Sequence, residues 1–368
     1  MADSGIMAIE EFDAAINWQA EHASESGAEC TARVIRTLPK VRAGSSELGR
    51  RMAAWKGLTL KDAMPLRVTG GLHHLALSGA DRRLVPVYRG EITDQPQIDA
   101  LVMAIVEDHD AALVPWLDGP PQTNEAGRSA SLMTGLLWLA QRVTPRFELF
   151  ELGASAGVNT MLDRYHFRLG ETEVGPVDSP MRIDPEWRGS GVSPPPAPDE
   201  FAILSVRGCD IAPIDLSDPA SALRLKSYVW PDAPQRLERI DAAIALASEN
   251  PPDLVEQDAG EFVSDMLARP QTAGTTRAMF HSIMWQYMPA DTQVAISEAF
   301  ERAGRQATPD RPLGWISLET DPATFRHELK VRHWGGARED GVTHLLGHAH
   351  PHGAWVDWLG TDGSQLGA

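Results

Sequence analysis

The fold is decided by the stretch Phe147-Glu-Leu-Phe-Glu-Leu-Gly-Ala-Ser-Ala-Gly-Val-Asn-Thr160. The apolar run over 147–152 predicts a β-strand, and the small residues from Gly153 to Gly157 predict a tight turn. The apolar spacing over 158–165 predicts a helix after the turn. A strand, a small-residue turn and a helix in this order bring the backbone close to a ligand at the helix N-terminus.

Two chemistries fit this turn. Gly153-Ala-Ser155-Ala-Gly157 matches G-x-S-x-G, the nucleophile turn of serine hydrolases, with Ser155 as the nucleophile. The longer segment that begins at Glu151 matches E-x-G-x-G-x-G with serine at the middle glycine, and resembles the first motif of S-adenosylmethionine-dependent methyltransferases. In those enzymes the acid caps the strand and the loop holds the amino-acid part of the cofactor. A tight turn without any ligand is the third interpretation.

Composition restricts the partners that the chain is expected to bind. The 368 residues carry a formal net charge of −18, with 43% hydrophobic and 23% charged residues, which is typical of a globular protein. Basic residues occur only in isolated pairs such as Arg50-Arg51 and Arg82-Arg83, so no nucleic-acid partner is predicted. The two cysteines, Cys30 and Cys209, exclude a disulfide framework and a cysteine-rich zinc site.

No targeting or membrane signal is visible. The N-terminus lacks a basic region followed by an apolar run, and no apolar segment approaches the length of a bilayer span. The expected location is therefore cytoplasmic, with no membrane partner. The expected partner is a small-molecule substrate, and the sequence leaves the oligomeric state open.

The character of the chain changes at residue 147. Residues 1–146 have mainly helical patterns, whereas short apolar runs alternate with helical patterns over 147–368, which is typical of a parallel α/β sheet. We therefore predict an α/β fold, a Rossmann-like sheet of the class I methyltransferase type preceded by a mainly helical N-terminal domain. After the first strand, further strands are predicted at 201–206, 253–257, 277–284 and 313–319, with a closing hairpin at 325–334 and 342–349.

A proline-rich insertion interrupts this pattern at 170–200. It contains Pro176, Pro180, Pro185, Pro194, Pro195, Pro196 and Pro198. Because proline cannot donate a ladder hydrogen bond, the insertion is predicted to pack over or beside the cleft without adding a central strand.

Later strand ends favour the methyltransferase interpretation over the hydrolase. A nucleophile turn normally follows several strands, but the residues before Ser155 have helical patterns. Asp210 resembles the acid that takes the ribose hydroxyls, and Asp258-Ala259 resembles the segment that binds the adenine amino group. Two features depart from the pattern: the long gap between Gly153 and Asp210, and the serine at the middle glycine.

Several segments together resemble the bacterial domain of unknown function 2332 family. They are Thr123-Asn-Glu-Ala-Gly-Arg-Ser129, Glu151-Leu-Gly-Ala-Ser-Ala-Gly157, Tyr228-Val-Trp-Pro-Asp232, His281-Ser-Ile-Met-Trp-Gln-Tyr287 and His348-Ala-His-Pro-His-Gly-Ala-Trp355. The resemblance spans nearly the whole chain and implies one continuous unit, a helical front half joined to a methyltransferase-like sheet. It implies no activity.

The predicted function is methyl transfer from S-adenosylmethionine to a small molecule. His281, at the end of the fourth strand, is the candidate general base, with a purely structural histidine as the alternative. The predicted cofactor-binding residues are Glu151, Gly153, Ala154, Ser155, Gly157, Asp210, Asp258 and Ala259. The predicted substrate-binding residues are Asn124, Glu125, Arg128, Ser282, Gln286 and Tyr287. Among them Arg128 is suited to a substrate carboxylate, although Glu125 and Arg128 also have the spacing of a surface ion pair.

A metal site is not predicted. His348, His350 and His352 alternate and would share one face of a strand, but no acidic or cysteine ligand lies near them in the sequence. Two other functions stay open. One is a non-catalytic protein that binds a nucleoside or another small ligand, and the other is a serine hydrolase that uses Ser155.

Overall fold

A computed structural model describes residues 9–193, 200–336 and 339–360, and the backbone of the strand Ser364–Leu366. The chain divides into two compact units. The first comprises Met1–Thr123 and Asp218–Glu238, and the second comprises Asn124–Ser217 and Arg239–Ala368.

The helices of the described residues are named here in chain order. They are α1 (Phe12–Glu25), α2 (Glu29–Ile35), α3 (Leu38–Ala43), α4 (Glu47–Ala53), α5 (Met64–Ser78), α6 (Val85–Tyr88), α7 (Gln95–Leu113), α8 (Ser129–Ala140), α9 (Pro219–Ser227), α10 (Pro234–Glu249), α11 (Ala259–Ala268) and α12 (Ala290–Gly304). Short 3-10 turns cover Val114–Leu117, Ala126–Arg128, Asn159–Arg164 and Trp285–Tyr287. Across the described ranges, no helix combines the length and the apolar character that crossing a membrane requires.

The first unit is built from helices whose apolar sides form one core. The glycine pair in α5 shows how closely its helices pack. A Cβ atom at Gly70 would lie 2.8 Å from the ring of Tyr228, and one at Gly71 would lie 3.0 Å from Leu113 and from Trp116. The pair therefore lies inside a continuous helix, where the missing side chains allow neighbouring segments to approach.

The strands are also numbered in chain order. They are β1 (Arg146–Leu152), β2 (His166–Leu169), β3 (Thr172–Val174), β4 (Arg182–Ile183), β5 (Glu186–Gly189), β6 (Ala202–Asp210), β7 (Leu254–Glu256), β8 (Thr276–Ser282), β9 (Leu313–Thr320), β10 (His327–Trp334), β11 (Thr343–Ala349), β12 (Trp355–Trp358) and β13 (Ser364–Leu366).

The second unit is organised by a ten-stranded sheet in the order β5-β12-β11-β10-β9-β8-β1-β6-β7, with β13 paired to β11. The five strands from β9 to β7 run parallel. The sheet then continues through antiparallel pairs of β9 with β10, β10 with β11, and β11 with β12. The fold is thus mixed α/β, with a large, mostly parallel central sheet and helices, and more than one strand runs against the parallel core.

Helices cover both faces of this sheet. All residues of α8 are buried. The helix packs closely on β9, where a Cβ at Gly135 would lie 2.8 Å from Ile316. On the other face, Phe262 of α11 and Phe300 of α12 form an apolar cluster with Trp315. Successive residues of a strand point to opposite faces. Trp315 therefore packs against α11 and α12, whereas Ile316 packs against α8.

Most predicted core elements are confirmed, and one local prediction needs correction. The first strand, the four later ones and the closing hairpin all appear within a few residues of their predicted bounds. The helix predicted over 158–165 is instead the short 3-10 turn Asn159–Arg164. The chain turns after it because Tyr165 is already extended and leads into β2.

The proline-rich insertion contributes no central strand among its described residues. It supplies β3 and β4 to a three-stranded sheet with β2, and β5 to the edge of the large sheet, where β5 pairs with β12. Pro194, Pro195, Pro196 and Pro198 lie outside the described residues.

Candidate functional site

The candidate cleft is the edge of the sheet where β1, β6, β7 and β8 end. Parallel strands place their carboxyl ends side by side, so the loops that follow them converge. The turn after β1 has positive φ angles at Gly153 (64°), Ser155 (53°) and Gly157 (70°). A left-handed conformation is uncommon for a serine, and such strain is concentrated at functional sites.

The two glycines of the turn are required by close neighbours as well as by their φ angles. A Cβ atom at Gly153 would lie 2.9 Å from the Met284 side chain, and one at Gly157 would lie 2.8 Å from Pro252. Ala154 is held in place because its N–H donates to the carbonyl oxygen of Cys209 at 2.9 Å. The turn is therefore fixed against β6 and against the segment that follows β8.

Asp210 ends β6 and holds the turn with its carboxylate. Its Oδ2 accepts a 2.8 Å hydrogen bond from the Ser155 N–H, and its Oδ1 accepts one of 2.9 Å from the Ala212 N–H. A carboxylate offers about four lone-pair sites, so acceptor capacity remains for a ligand hydroxyl. Asp210 thus lies at the end of its strand, as the sequence predicted, and the structure places it beside the turn.

Asp258 begins α11 as its N-cap. Its Oδ1 accepts hydrogen bonds from Gly260 N–H at 2.8 Å and from Glu261 N–H at 3.3 Å. The side chain is exposed and lines an open surface cavity of about 750 Å³ together with Asp291. Ala259 is the first residue of the helix. Asp258 therefore caps the helix, as loop acids often do. Its Oδ2 makes no hydrogen bond within the described part of the chain.

Glu151 is the least compensated carboxyl group of the cleft. It is 1% exposed, and its Oε2 has no hydrogen-bond partner in the described residues. Burial raises the pKa of Glu151 well above its ordinary value, and the Asp210 charge raises it further, whereas the Asn159 amide and Arg128 lower it. Such a group costs free energy unless something else compensates it.

Two neutral side chains in the segment after β1 are also unsatisfied. The Asn159 amide is fully buried and faces Glu151 outside good hydrogen-bonding geometry; neither of its polar atoms has a partner among the described residues. The same holds, within those residues, for the Ser155 hydroxyl, which is 8% exposed. Buried polar groups in native proteins are nearly always hydrogen-bonded, so this group of three indicates a place for a ligand or for water.

Asn124 and Arg128 stabilise the cleft through backbone atoms. Asn124 Oδ1 accepts a 2.8 Å hydrogen bond from Val158 N–H, directly after the turn. Arg128 is 7% exposed and donates through Nε to the carbonyl oxygen of Pro351 at 2.9 Å. Its Nη1 donates to the carbonyl oxygen of Ser282 at 3.3 Å, which places Arg128 at the end of β8.

Glu125 and Arg128 are both buried, so they do not lie on an exposed helix surface. The Glu125 carboxylate is 5% exposed and lies 3.6 Å from Arg239 Nη2 and 3.7 Å from His352 Nδ1. His352 and His350 follow the end of β11 in a turn, where the His352 N–H donates to His350 Nδ1 at 3.1 Å. The alternating histidines therefore do not continue along one strand face as the sequence pattern suggested.

His281 has both ring nitrogens engaged. The Trp315 indole N–H is only a donor, so His281 Nε2 must accept it, at 2.9 Å. The ring proton is then on Nδ1, which donates to Glu319 Oε1 at 2.7 Å. His281 is also 2% exposed and stacks on Trp285 with ring centroids 4.9 Å apart. This geometry favours the structural role, which the sequence left open as the alternative to a general base.

Glu319 and Ile283 are features of the cleft that sequence reasoning missed. Glu319 lies near the end of β9, and its Oε1 also accepts the Met284 N–H at 3.2 Å, whereas its Oε2 is buried with no partner in the described chain. The strand-end rule that found Asp210 would also have found Glu319. Ile283 has φ of 50°, an outlier for a β-branched residue, and no sequence signal announces it.

The sequence model of one protein family, described as uncharacterized protein conserved in bacteria (DUF2332), matches residues 13–358. The chain belongs to this family. Neither a curated protein nor a solved structure matches it. The family resemblance predicted from the sequence is thereby confirmed, and the activity of this DUF2332 protein has to be argued from its own residues.

Two remaining questions about this DUF2332 protein concern Ser155 and the end of β8. Ser155 Oγ has no histidine partner among the described residues, so the hydrogen-bonded nucleophile and base of a serine hydrolase are not assembled there. Gln286 and Tyr287 follow Ser282 in the 3-10 turn, where Gln286 is exposed and Tyr287 is 77% exposed. They are therefore accessible to an incoming molecule.

Proposed function

We propose that this protein binds S-adenosylmethionine at the carboxyl ends of β1, β6 and β7 and transfers its methyl group to a small molecule. The observation that carries the proposal is the strained turn Gly153–Gly157, tied to the Asp210 carboxylate and flanked by the buried, unsatisfied Glu151. It combines a close backbone approach with acceptor groups for a ligand that brings hydroxyl groups and positive charge.

The order of the parallel strands supports the same location. Counted along the chain, β1, β6, β7, β8 and β9 are strands 1 to 5, and they lie side by side as 3-2-1-4-5. In doubly wound sheets of this order, a ligand binds where the order reverses, beside strand 1. The turn after β1 lies at that point, as a Rossmann-like methyltransferase sheet requires.

The hydrogen bonds of the turn argue against a phosphorylated ligand. A phosphate needs free N–H groups at the start of a helix. Here the N–H groups of Ala154, Ser155, Gly157 and Val158 already donate within the protein. A phosphate would also meet the negative charge of Asp210. S-adenosylmethionine instead presents a sulfonium and an ammonium group, which carboxylates attract.

The proposed roles follow from position. The turn and Glu151 hold the methionine part of the cofactor, and Asp210 accepts the ribose hydroxyls. Asp258 accepts from the adenine amino group through Oδ2, since its Oδ1 caps α11. Arg128, at the end of β8, is placed to hold a substrate carboxylate.

The chemical contribution of the protein is mainly positioning. When bound, the cofactor supplies an activated methyl group, and the protein aligns the acceptor atom with it. His281 is fully hydrogen-bonded, so it orients Glu319 and Trp315 and takes no substrate proton. Glu319 Oε2, buried and unpartnered within the described residues, is the acceptor that we assign to the substrate proton.

A second candidate is a protein that binds the same ligand without catalysis. It is favoured because both ring nitrogens of His281 are already hydrogen-bonded. The two candidates differ in one measurement. Incubation with S-adenosylmethionine labelled in the methyl group and a small-molecule extract yields a labelled product only if the protein is a methyltransferase.

Calorimetry tests the binding proposal directly. We expect S-adenosylmethionine and S-adenosylhomocysteine to bind the wild-type protein with one site per chain. NAD and ATP serve as controls, because they share the adenosine but carry phosphates, and we expect neither to bind at this site. If folded protein binds neither sulfur-containing nucleoside at millimolar concentration, the proposal fails.

A further inference from the structure

Two buried histidines lie on the face of the sheet that α8 covers. His333 belongs to β10 and His344 to β11, and they are 4% and 3% exposed. Their rings are nearly parallel, at 11°, with centroids 5.9 Å apart. Trp138 of α8 packs against both rings. Since His344 lies opposite Val331, the two histidines are diagonal neighbours on one face of an antiparallel pair.

All four ring nitrogens of these histidines lack a hydrogen-bond partner among the described residues. The contrast with His281 is direct, because that ring is equally buried and has both nitrogens engaged. A neutral imidazole has one donor and one acceptor, and burying both without partners is unfavourable. Two such rings side by side therefore call for an ion or another group that uses their lone pairs.

A carboxylate completes the group. One ligand atom from each of His333, His344 and Glu339 lies within 4.8 Å of the other two. The turn that carries Glu339 is closed by two hydrogen bonds, from Val342 N–H to Glu339 O at 3.1 Å and from Gly341 N–H to His333 O at 2.9 Å. Tetrahedral ligands at about 2.0–2.2 Å from a metal are separated by about 3.3–3.6 Å, so the three atoms are within a short movement of the spacing that one ion requires.

The surrounding charges are compatible with a cation. Burial lowers the pKa of both histidines, which leaves their lone pairs available, as metal ligation requires. Arg142 opposes a bound cation and lowers both pKa values further. Its guanidinium lies 3.7 Å from the centroid of the Trp138 ring. Glu339 raises both pKa values and Asp340 raises that of His333, so these two acids offset Arg142.

We propose that His333, His344 and Glu339 bind one divalent first-row transition-metal ion, with water completing its coordination. Two imidazoles and one carboxylate suit zinc and its neighbours rather than calcium or magnesium, which prefer oxygen ligands. His333 pairs with Gly314, at the start of β9. The site therefore lies towards the amino ends of the parallel strands, whereas the candidate cleft lies at their carboxyl ends. The ion would fasten the connection between β10 and β11, independently of any methyl transfer.

The test uses the full chain after removal of metals with a chelator. Co²⁺ is titrated in and followed by its visible absorption, and Zn²⁺ uptake is measured by elemental analysis. We expect one ion per chain for the wild type. Glu339→Gln keeps both histidines and alters an exposed residue, and it should weaken Co²⁺ binding at least tenfold. His344→Ala should abolish it, and His22→Ala, which removes an exposed histidine in α1, should not change it.

Circular dichroism confirms that each variant is folded before titration. If folded wild-type protein takes up neither Co²⁺ nor Zn²⁺ stoichiometrically, the proposal is overturned. It is equally overturned if Glu339→Gln and His344→Ala bind Co²⁺ as tightly as the wild type, because the ion would then lie elsewhere. Should His344→Ala fail to fold, the comparison of Glu339→Gln with His22→Ala decides the matter by the same criterion.

Discussion

Asp210 has two roles in the proposed cleft, and replacing it with asparagine measures both. The carboxylate accepts the Ser155 N–H through one oxygen and the Ala212 N–H through the other, at 2.8 and 2.9 Å. In Asp210→Asn one oxygen becomes an NH₂ group, which cannot accept. One backbone N–H therefore loses its partner, at a cost of about 1–3 kcal/mol in the free energy of unfolding.

The same substitution is expected to weaken ligand binding. The ribose hydroxyls would lose a charged acceptor, and hydrogen bonds to charged groups contribute about 1.5–3 kcal/mol. The dissociation constant for S-adenosylhomocysteine should therefore rise roughly ten- to hundredfold.

Asp258→Asn is the matched control for stability. One oxygen of Asp258 accepts both capping hydrogen bonds, so asparagine retains the cap. Asparagine and aspartate are about equally good N-caps, and we expect a change in stability below about 0.5 kcal/mol.

Urea unfolding and calorimetry with S-adenosylhomocysteine are measured on the wild type and both variants. If Asp210→Asn binds within twofold of the wild type, Asp210 does not hold the ribose. If it is no less stable than Asp258→Asn, the Asp210 contacts do not hold the turn.

Three further predictions concern the turn and its surroundings. Burial raises the pKa of Glu151, so the unfolded chain releases its proton at lower pH than the folded chain, and the stability of the wild type falls as pH rises above the ordinary glutamate range. Glu151→Gln should then be the more stable protein at pH 7 in urea unfolding, and its advantage should disappear once the pH falls below the ordinary glutamate range. Equal stabilities at both pH values would contradict this. In Gly153→Ala the alanine has to adopt φ of 64°, and its methyl group meets Met284. The control is Gly274→Ala, which has φ of 72° and nothing within 4 Å of the added methyl group, so that only the φ change costs stability, by about 1–2 kcal/mol. Gly153→Ala should lose more thermal stability than this control, and equal losses would show that Met284 moves aside without cost. Ser155→Ala should keep the fold and most of the ligand affinity, and stoichiometric labelling of Ser155 in the wild type by a fluorophosphonate probe would instead support the hydrolase.

The core strands could be predicted because their signal is local. A buried parallel strand is a short apolar run with a turn on either side, and β1, β8 and β9 have that form. The edge strand β5 could not be predicted in this way. Its pairing of Glu186 with Trp355 joins residues far apart in the chain, and nothing local in 186–189 shows which strand it will meet.

The helix α8 shows a different limit of periodicity. Leu132, Leu136, Leu137 and Ala140 have the spacing of a single apolar face, yet every residue from Ser129 to Ala140 is buried. Small and hydroxyl residues complete the other faces, because they permit close packing on all sides. Thr134, for example, satisfies its hydroxyl on the Ala130 carbonyl oxygen at 2.7 Å. A hydrophobic stripe indicates which face of a helix packs against the core, but it does not indicate how much of the rest of the helix is buried.

The positions of the candidate cleft residues could be predicted from the sequence, whereas their hydrogen-bond partners could not. Counting strand ends placed Glu151, Asp210 and Asp258 at the cleft. The occupation of His281 by Trp315 depends on a donor from a neighbouring strand, and the sequence contains no sign of it. The same is true of the pair His333 and His344, which are separated by a turn and become neighbours only when β10 and β11 pair.

The buried charges of this fold differ in whether the chain itself satisfies them. Arg277 is 3% exposed, and its guanidinium donates to Glu148 and to the carbonyl oxygens of Met266, Arg269 and Pro270. The protein can thus surround a buried charge with partners where the role is structural. Glu151 has no such partner for Oε2 in the described residues, although it is equally buried. An unsatisfied group that persists in a chain able to satisfy others is best explained by a partner from outside, which is the argument for a ligand at the turn.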